Sequence, residues 1–175
     1  TEYAFYKGTK RPVSEVLDEL LKFETPMVEI TGGEPLLQRN VLPLMAALCD
    51  AGKIVLIETS GAHDISPIDP RVHRIMDLKT PGSGECARNL WSNIPHLTQR
   101  DEVKCVIGSR EDYEWSRDRV LEHDLASRCG CVLFSPIFGR IEPRQIVEWI
   151  IEDKLPVRFQ LQMHKFIWDP KQKGV

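Results

Sequence analysis

Several features are missing from this sequence, and each absence removes a class of protein. No apolar run approaches the roughly 18 residues of a membrane-spanning helix. No stretch has the pattern of a signal peptide. The formal net charge is −3, with no block of one sign, so there is no electrostatic reason to expect nucleic acid or an anionic membrane as a partner. There is no internal repeat, low-complexity tract or linker. The five cysteines, Cys49, Cys86, Cys105, Cys129 and Cys131, are odd in number and form no CxxC pair. That pattern argues for free thiols in a reducing, cytoplasmic setting rather than for a disulfide framework. Cys129-Gly130-Cys131, just before an apolar run, is weak evidence for metal and is read as structural.

What remains is a chain of 175 residues, enough for one domain with a proper core, taken as residues 1–175. Apolar runs of strand length alternate with amphipathic stretches of helical period. The spacing predicts a helix over Pro12–Glu24, with Val16, Leu17, Leu20, Leu21 and Phe23 facing the core, and then a strand over Met27–Thr31. A helix over Val41–Asp50 comes next, with Gly52 just past its end. Strands are expected at Lys53–Glu58, Arg74–Lys79, Asp101–Ile107 and Cys131–Phe134. A short helix is expected over Asn89–Leu97, and a charged one over Arg110–Ser127 anchored by Tyr113, Trp115, Val120, Leu121 and Leu125. A last helix opens at Pro143 and turns Ile146, Val147, Trp149, Ile150 and Ile151 inward. The closing stretch Val157–Trp168 reads as extended. Strand–helix alternation repeated about six times implies parallel strands with right-handed crossovers. Six units are too few for a closed eight-fold barrel, so the expected fold is α/β, a partial (βα)6 barrel with mostly parallel strands. Gly33, Glu58, Lys79 and Ser135 all fall after strands, the end where such barrels carry chemistry.

The most unusual stretch is Thr31-Gly32-Gly33-Glu34-Pro35. Two adjacent glycines at a strand end let the backbone turn at positive φ and leave bare N–H and C=O groups open to another molecule, while Pro35 stiffens the next turn of chain. The pentad resembles the GGEP motif of the radical S-adenosylmethionine (SAM) enzymes, in which that loop holds the amino group of SAM. Glu58-Thr59-Ser60-Gly61 resembles the E-T-N-G motif of activating-type members, with Ser60 in place of Asn. On the residues alone, an ion-paired glutamate at a loop mouth is an equal reading.

Within that superfamily, three stretches resemble the 7-carboxy-7-deazaguanine synthase family. Thr1-Glu2-Tyr3-Ala4-Phe5-Tyr6 looks like the continuation after the last cluster cysteine. Asp77-Leu78-Lys79-Thr80-Pro81 matches a segment lining the SAM site. Leu161-Gln162-Met163-His164-Lys165-Phe166-Ile167-Trp168 is similar to the family's L-Q-L-H-K-x-x-W ending. The resemblance implies a radical SAM lyase that converts 6-carboxy-5,6,7,8-tetrahydropterin to 7-carboxy-7-deazaguanine and ammonia, on the route to queuosine and other 7-deazapurines. It implies SAM, a 4Fe-4S cluster and Mg2+ as cofactors. The three cluster cysteines have no counterpart here, and a cluster segment preceding Thr1 is the expectation. It implies SAM contacts from Gly33, Glu58, Ser60, Lys79, Thr80, Pro81, Ser135, Pro136, Ile137 and Phe138. It implies substrate contacts from Thr31 and His164, and a magnesium ligand in Thr1. Family partners would be an electron donor such as flavodoxin and a second copy in a homodimer. Two rival readings are another radical SAM enzyme, such as a glycyl-radical activating enzyme, and a non-catalytic SAM-binding module. The first of these would show a large exposed apolar groove at the site.

Overall fold

The computed structural model describes residues 8–172. Its frame is one six-stranded sheet in which every pair is parallel and the strands lie in chain order, β1 to β6. The strands are β1 (Met27–Ile30), β2 (Ile54–Thr59), β3 (His73–Leu78), β4 (Glu102–Ile107), β5 (Cys131–Pro136) and the two-residue β6 (Arg158–Phe159). Sequential order is the simplest result of right-handed crossovers that all wind the same way, and it gives the open partial barrel expected from the pattern.

The period of two along each strand sorts its side chains onto two faces. Val55, Ile57 and Thr59 of β2, Met76 and Leu78 of β3, and Val103, Cys105 and Ile107 of β4 are buried. They pack under α2 (Val41–Asp50), α3 (Arg110–Glu122) and α5 (Pro143–Glu152), where Met45, Leu48, Tyr113, Val120 and Ile146 complete the core. The intervening residues, among them Glu29, Glu58, Asp77 and Lys104, stand on the opposite, concave face.

Several elements differ from the spacing. The first helix, α1, covers only Val13–Leu21, with Pro12 at its cap. Leu21, the last helical residue, and Phe23, beyond the helix end, are both exposed. The charged helix breaks after Glu122: Asp124 takes a left-handed conformation (φ 50°), and the short α4 (Leu125–Arg128) follows. Leu121, still within α3, is exposed, while Leu125 beyond the break is buried. In α5, Ile151 is also exposed.

The β2–β3 and β3–β4 connections carry no α-helix. The first is an irregular loop holding Pro67 and Pro70, and the second is three 3-10 turns over Pro81–Ser83, Cys86–Arg88 and Trp91–His96. Prolines without N–H donors and closely set glycines keep these stretches from closing an α-helical ladder. The ending is not one strand. After β6 the chain forms α6 (His164–Ile167), a single turn.

Candidate functional site

The loop after β1 is built around a buried acid. Gly32 sits at φ 140°, a conformation open to glycine and strained for other residues. Glu34 then caps the 3-10 turn Pro35–Leu37, accepting from the Leu36 N–H at 3.1 Å. The same carboxylate accepts from Thr59 Oγ1 at 2.9 Å and from the Ser60 N–H at 2.7 Å. Burial alone would push this carboxyl up, but the hydrogen bonds from Ser60, Leu36 and Thr59 outweigh it and hold Glu34 below the ordinary range. The acid of the pentad thus ties the mouth of β1 to the mouth of β2. The sequence pattern gives Glu34 no such role, although an acid fixed behind two glycines is a signal that something must hold the loop.

Below this seam lies a cavity of about 460 Å³, lined by Thr31, Gly32, Gly33, Glu58, Ser60, Asp77 and Lys79, with His63, Glu85 and Arg88 at its edge. Thr31 Oγ1 donates to Glu58 Oε2 at 3.2 Å, and Lys104 approaches the other oxygen, Oε1, at 3.5 Å. Lys79 pairs with Asp77 at 2.6 Å. Its backbone is fixed by the buried Asn89, which accepts from the Lys79 N–H and donates to the Lys79 carbonyl, each at 2.9 Å. Five residues expected at the site from sequence therefore meet in one place: Thr31, Gly33, Glu58, Ser60 and Lys79. Asp77, Asn89 and Arg88 were missed. Asp77 was legible as the residue two before Lys79 on the same strand face, whereas Arg88 and Asn89 arrive by a loop whose path the pattern does not show.

The other expected residues lie elsewhere. Thr80 is turned into the protein, its hydroxyl donating to the Val106 carbonyl at 3.2 Å. With Pro81 it opens the first 3-10 turn, and neither side chain lines the cavity. Ser135 is buried and donates to the Gln160 carbonyl at 2.8 Å, tying β5 to the chain after β6. Ile137 extends the sheet through its N–H to the Ile107 carbonyl. Pro136 and Phe138 line a second, apolar cavity of about 230 Å³ shared with Ile141, Pro143 and Phe166. There Phe138 meets Phe166 edge to face, with ring centroids 5.3 Å apart. His164 is exposed in the first turn of α6 and lines neither cavity. Thr1 lies outside the described residues.

The donor sets decide what the site can hold. Bare glycine backbone, paired carboxylates and a lysine around a cavity of this size suit a ligand with ammonium and carboxylate groups, such as the methionine end of SAM. An iron–sulfur cluster does not fit the described residues. Among them, no group of three His, Cys, Asp or Glu is close enough to hold a metal. Burial pushes the Cys105 thiol up to about 12 and Cys129 up to about 11, the opposite of what thiolate ligation needs.

An open parallel sheet with a glycine loop and charged strand ends at its carboxyl mouth defines an α/β enzyme of the partial-barrel class. Two solved structures share this architecture. QueE from Escherichia coli matches with a TM-score of 0.68 at 24% identity, over 87% of this chain and 64% of that one. SuiB from Streptococcus suis, solved bound to S-adenosylmethionine, matches with a TM-score of 0.58 at 13% identity, over 87% of this chain and 42% of that one. No family model matches. In sequence, the chain is 43% identical to the 7-carboxy-7-deazaguanine synthase of Chlorobaculum tepidum, covering 100% of this chain and 80% of that protein. It is 41% identical to the enzyme of the same name from Koribacter versatilis, covering 100% of this chain and 84% of that protein. The chain belongs to the 7-carboxy-7-deazaguanine synthase family.

Proposed function

We propose that the cavity under the Thr31–Glu34 loop is where the family's reaction is carried out. The chain is a lyase that converts 6-carboxy-5,6,7,8-tetrahydropterin to 7-carboxy-7-deazaguanine with loss of ammonia, in the biosynthesis of queuosine and related 7-deazapurines. The observation that carries the location is the Glu34 seam: one buried carboxylate fixes both the double-glycine loop and Ser60, so that both face a single polar cavity.

In this reading SAM supplies hydrogen-atom abstraction and return. The protein's own work is to bind and orient. The Gly32–Gly33 backbone would receive the ammonium end of SAM. Lys79, held on its Asn89 clamp, faces a carboxylate. Ser60 and Glu58 would meet the polar edges of the ligands, and Thr31 with Glu58 would present hydroxyl and carboxylate oxygens as acceptors to the pterin. The Phe138 ring, in the neighbouring apolar cavity, would offer a flat surface to the heteroaromatic base, while Ser135, Pro136, Ile137, Thr80 and Pro81 would act through the backbone that supports the site. His164 would reach the substrate only by movement of the single-turn α6. The 4Fe-4S cluster, a magnesium ion held by Thr1, an electron donor such as flavodoxin and a homodimer belong to the same reading. The cavity's charged lining, in place of a broad apolar groove, disfavours a protein substrate of the glycyl-radical type.

The test is anaerobic reconstitution of the intact protein with iron and sulfide, followed by incubation with SAM, reductant and the carboxypterin. Formation of 7-carboxy-7-deazaguanine and ammonia is the expected result. Absence of product while SAM binds would overturn the assignment.

A further inference from the structure

The concave face carries three acids and two lysines in close array. Glu29 is on β1, Glu58 on β2, Asp77 and Lys79 at the end of β3, and Lys104 on β4. The pairing register aligns Glu29 with Leu56 and Asp77 with Lys104, so all of these side chains stand on one side of the sheet. Asp77 is matched by Lys79 at the mouth. Lys104 could have paired with its register partner Asp77, yet its ammonium reaches past β3 to Glu58 Oε1. Adjacent strands are about 4.8 Å apart, so two strands are about 10 Å. The extended lysine and glutamate stems lean toward each other over β3 and together close that gap.

Glu58 is consequently held at both oxygens, Oε1 by Lys104 and Oε2 by Thr31. Glu29 has no ion-pair partner among the described residues. Burial and the neighbouring Glu58 charge push its carboxyl up, and Lys104 pulls it back down. One ammonium thus serves two carboxylates. Lys104 does not line the cavity, while Glu58 does.

We propose that Lys104 is a positioning residue of the active site: shared between Glu58 and Glu29, it pins the Glu58 carboxylate from behind so that the oxygen bonded to Thr31 is presented to the ligand. The proposal rests on the assignment of the cavity given above. It predicts that loss of the ammonium lets Glu58 swing away from the neighbouring Glu29 carboxylate and out of register with Thr31. Lysine does this work through charge and reach, so arginine substitutes for it and an isosteric apolar residue does not.

The test compares Lys104→Met and Lys104→Arg with the unmodified protein. Lys104→Met is expected to raise KM for the carboxypterin about tenfold while kcat changes by less than about threefold, and Lys104→Arg to recover most of the loss. Thermal melting of Lys104→Met should stay close to that of the parent, since the pair is partly solvated. In ligand-free protein, the carboxyl of Glu29, followed by carbon-13 NMR, should titrate at higher pH in Lys104→Met than in the parent. An unchanged KM together with an unmoved Glu29 titration would overturn the proposal. An inactive parent with a Glu29 titration that still responds to Lys104 would instead sink the assignment of the reaction and leave the shared ammonium standing.

Discussion

At the scale of single residues, the site depends on one carboxylate whose bonds are all to the protein's own loops. Glu34 accepts three hydrogen bonds from two loops and is buried. Removing its charge leaves donors of Thr59 and Ser60 under-satisfied, so Glu34→Gln should lower stability by about 1–3 kcal/mol in urea denaturation at pH 7. The folded carboxyl sits below its ordinary value. Its contribution is therefore present above the unfolded pKa, near 4.3, and is lost as pH falls through the folded value. The gap between parent and variant should close in acid, and a gap that stays constant to pH 3 would contradict the account. Two positions earlier, Gly32→Ala forces a side chain into φ 140° and should cost about 1–3 kcal/mol. Gly33→Val should abolish SAM binding, followed by calorimetry, with the far-ultraviolet dichroism unchanged. Retained affinity would remove the loop from the SAM site.

At the scale of elements, the connection from β3 to β4 is the part that sequence pattern described least well. It forms part of the cavity's edge through Glu85 and Arg88 and is fixed by Asn89 and by a second buried acid, Asp112 of α3. Asp112 Oδ1 accepts from the Gly82 N–H at 2.7 Å and Oδ2 from the Gly108 N–H at 3.1 Å, while Ser109 caps the same helix through the Asp112 N–H. A Cβ on Gly82 would lie within 2.6 Å of the Asp112 carboxylate, so the glycine is required by the contact. Asp112→Ala leaves two backbone donors without partners and should cost about 2–4 kcal/mol. It should also speed proteolytic nicking within Pro81–Arg88. Unaltered nicking would show that the loop is held by Asn89 alone.

At the scale of the whole molecule, the sheet and its helical layer are held by a core that runs from Met45 through Met76 and Cys105 to Phe134. Phe134 is fully buried on β5, with its ring edge-on to Tyr113 of α3 at 5.8 Å between centroids. Phe134→Ala should cost about 3–5 kcal/mol, and a loss below 1 kcal/mol in chemical denaturation would show that the layer relaxes around the gap. Most of this architecture was legible in the chain, because continuous apolar runs such as Ile54-Val55-Leu56-Ile57 mark strands covered on one face and lining a lumen on the other. Helix α2 matched residue for residue. Leu121 and Ile151 lie within α3 and α5 yet are exposed, because each stands on the side of its helix turned away from the core.

The sequence by itself determined the strand spacing, the parallel order and the glycine loop with its acids at strand mouths, since these follow from period, turn chemistry and local backbone freedom. Which of those residues converge was decided only by the tertiary structure. Thr80 and Ser135 share the strand-end position of Lys79 and Glu58, yet their hydroxyls turn inward to satisfy the carbonyls of Val106 and Gln160. Glu34 and Lys104, unassigned in the pattern, become the struts of the site. The reason is that long side chains such as Lys104 reach over β3 from β4 to β2, and a buried carboxylate must take whatever donors the folded chain places within reach.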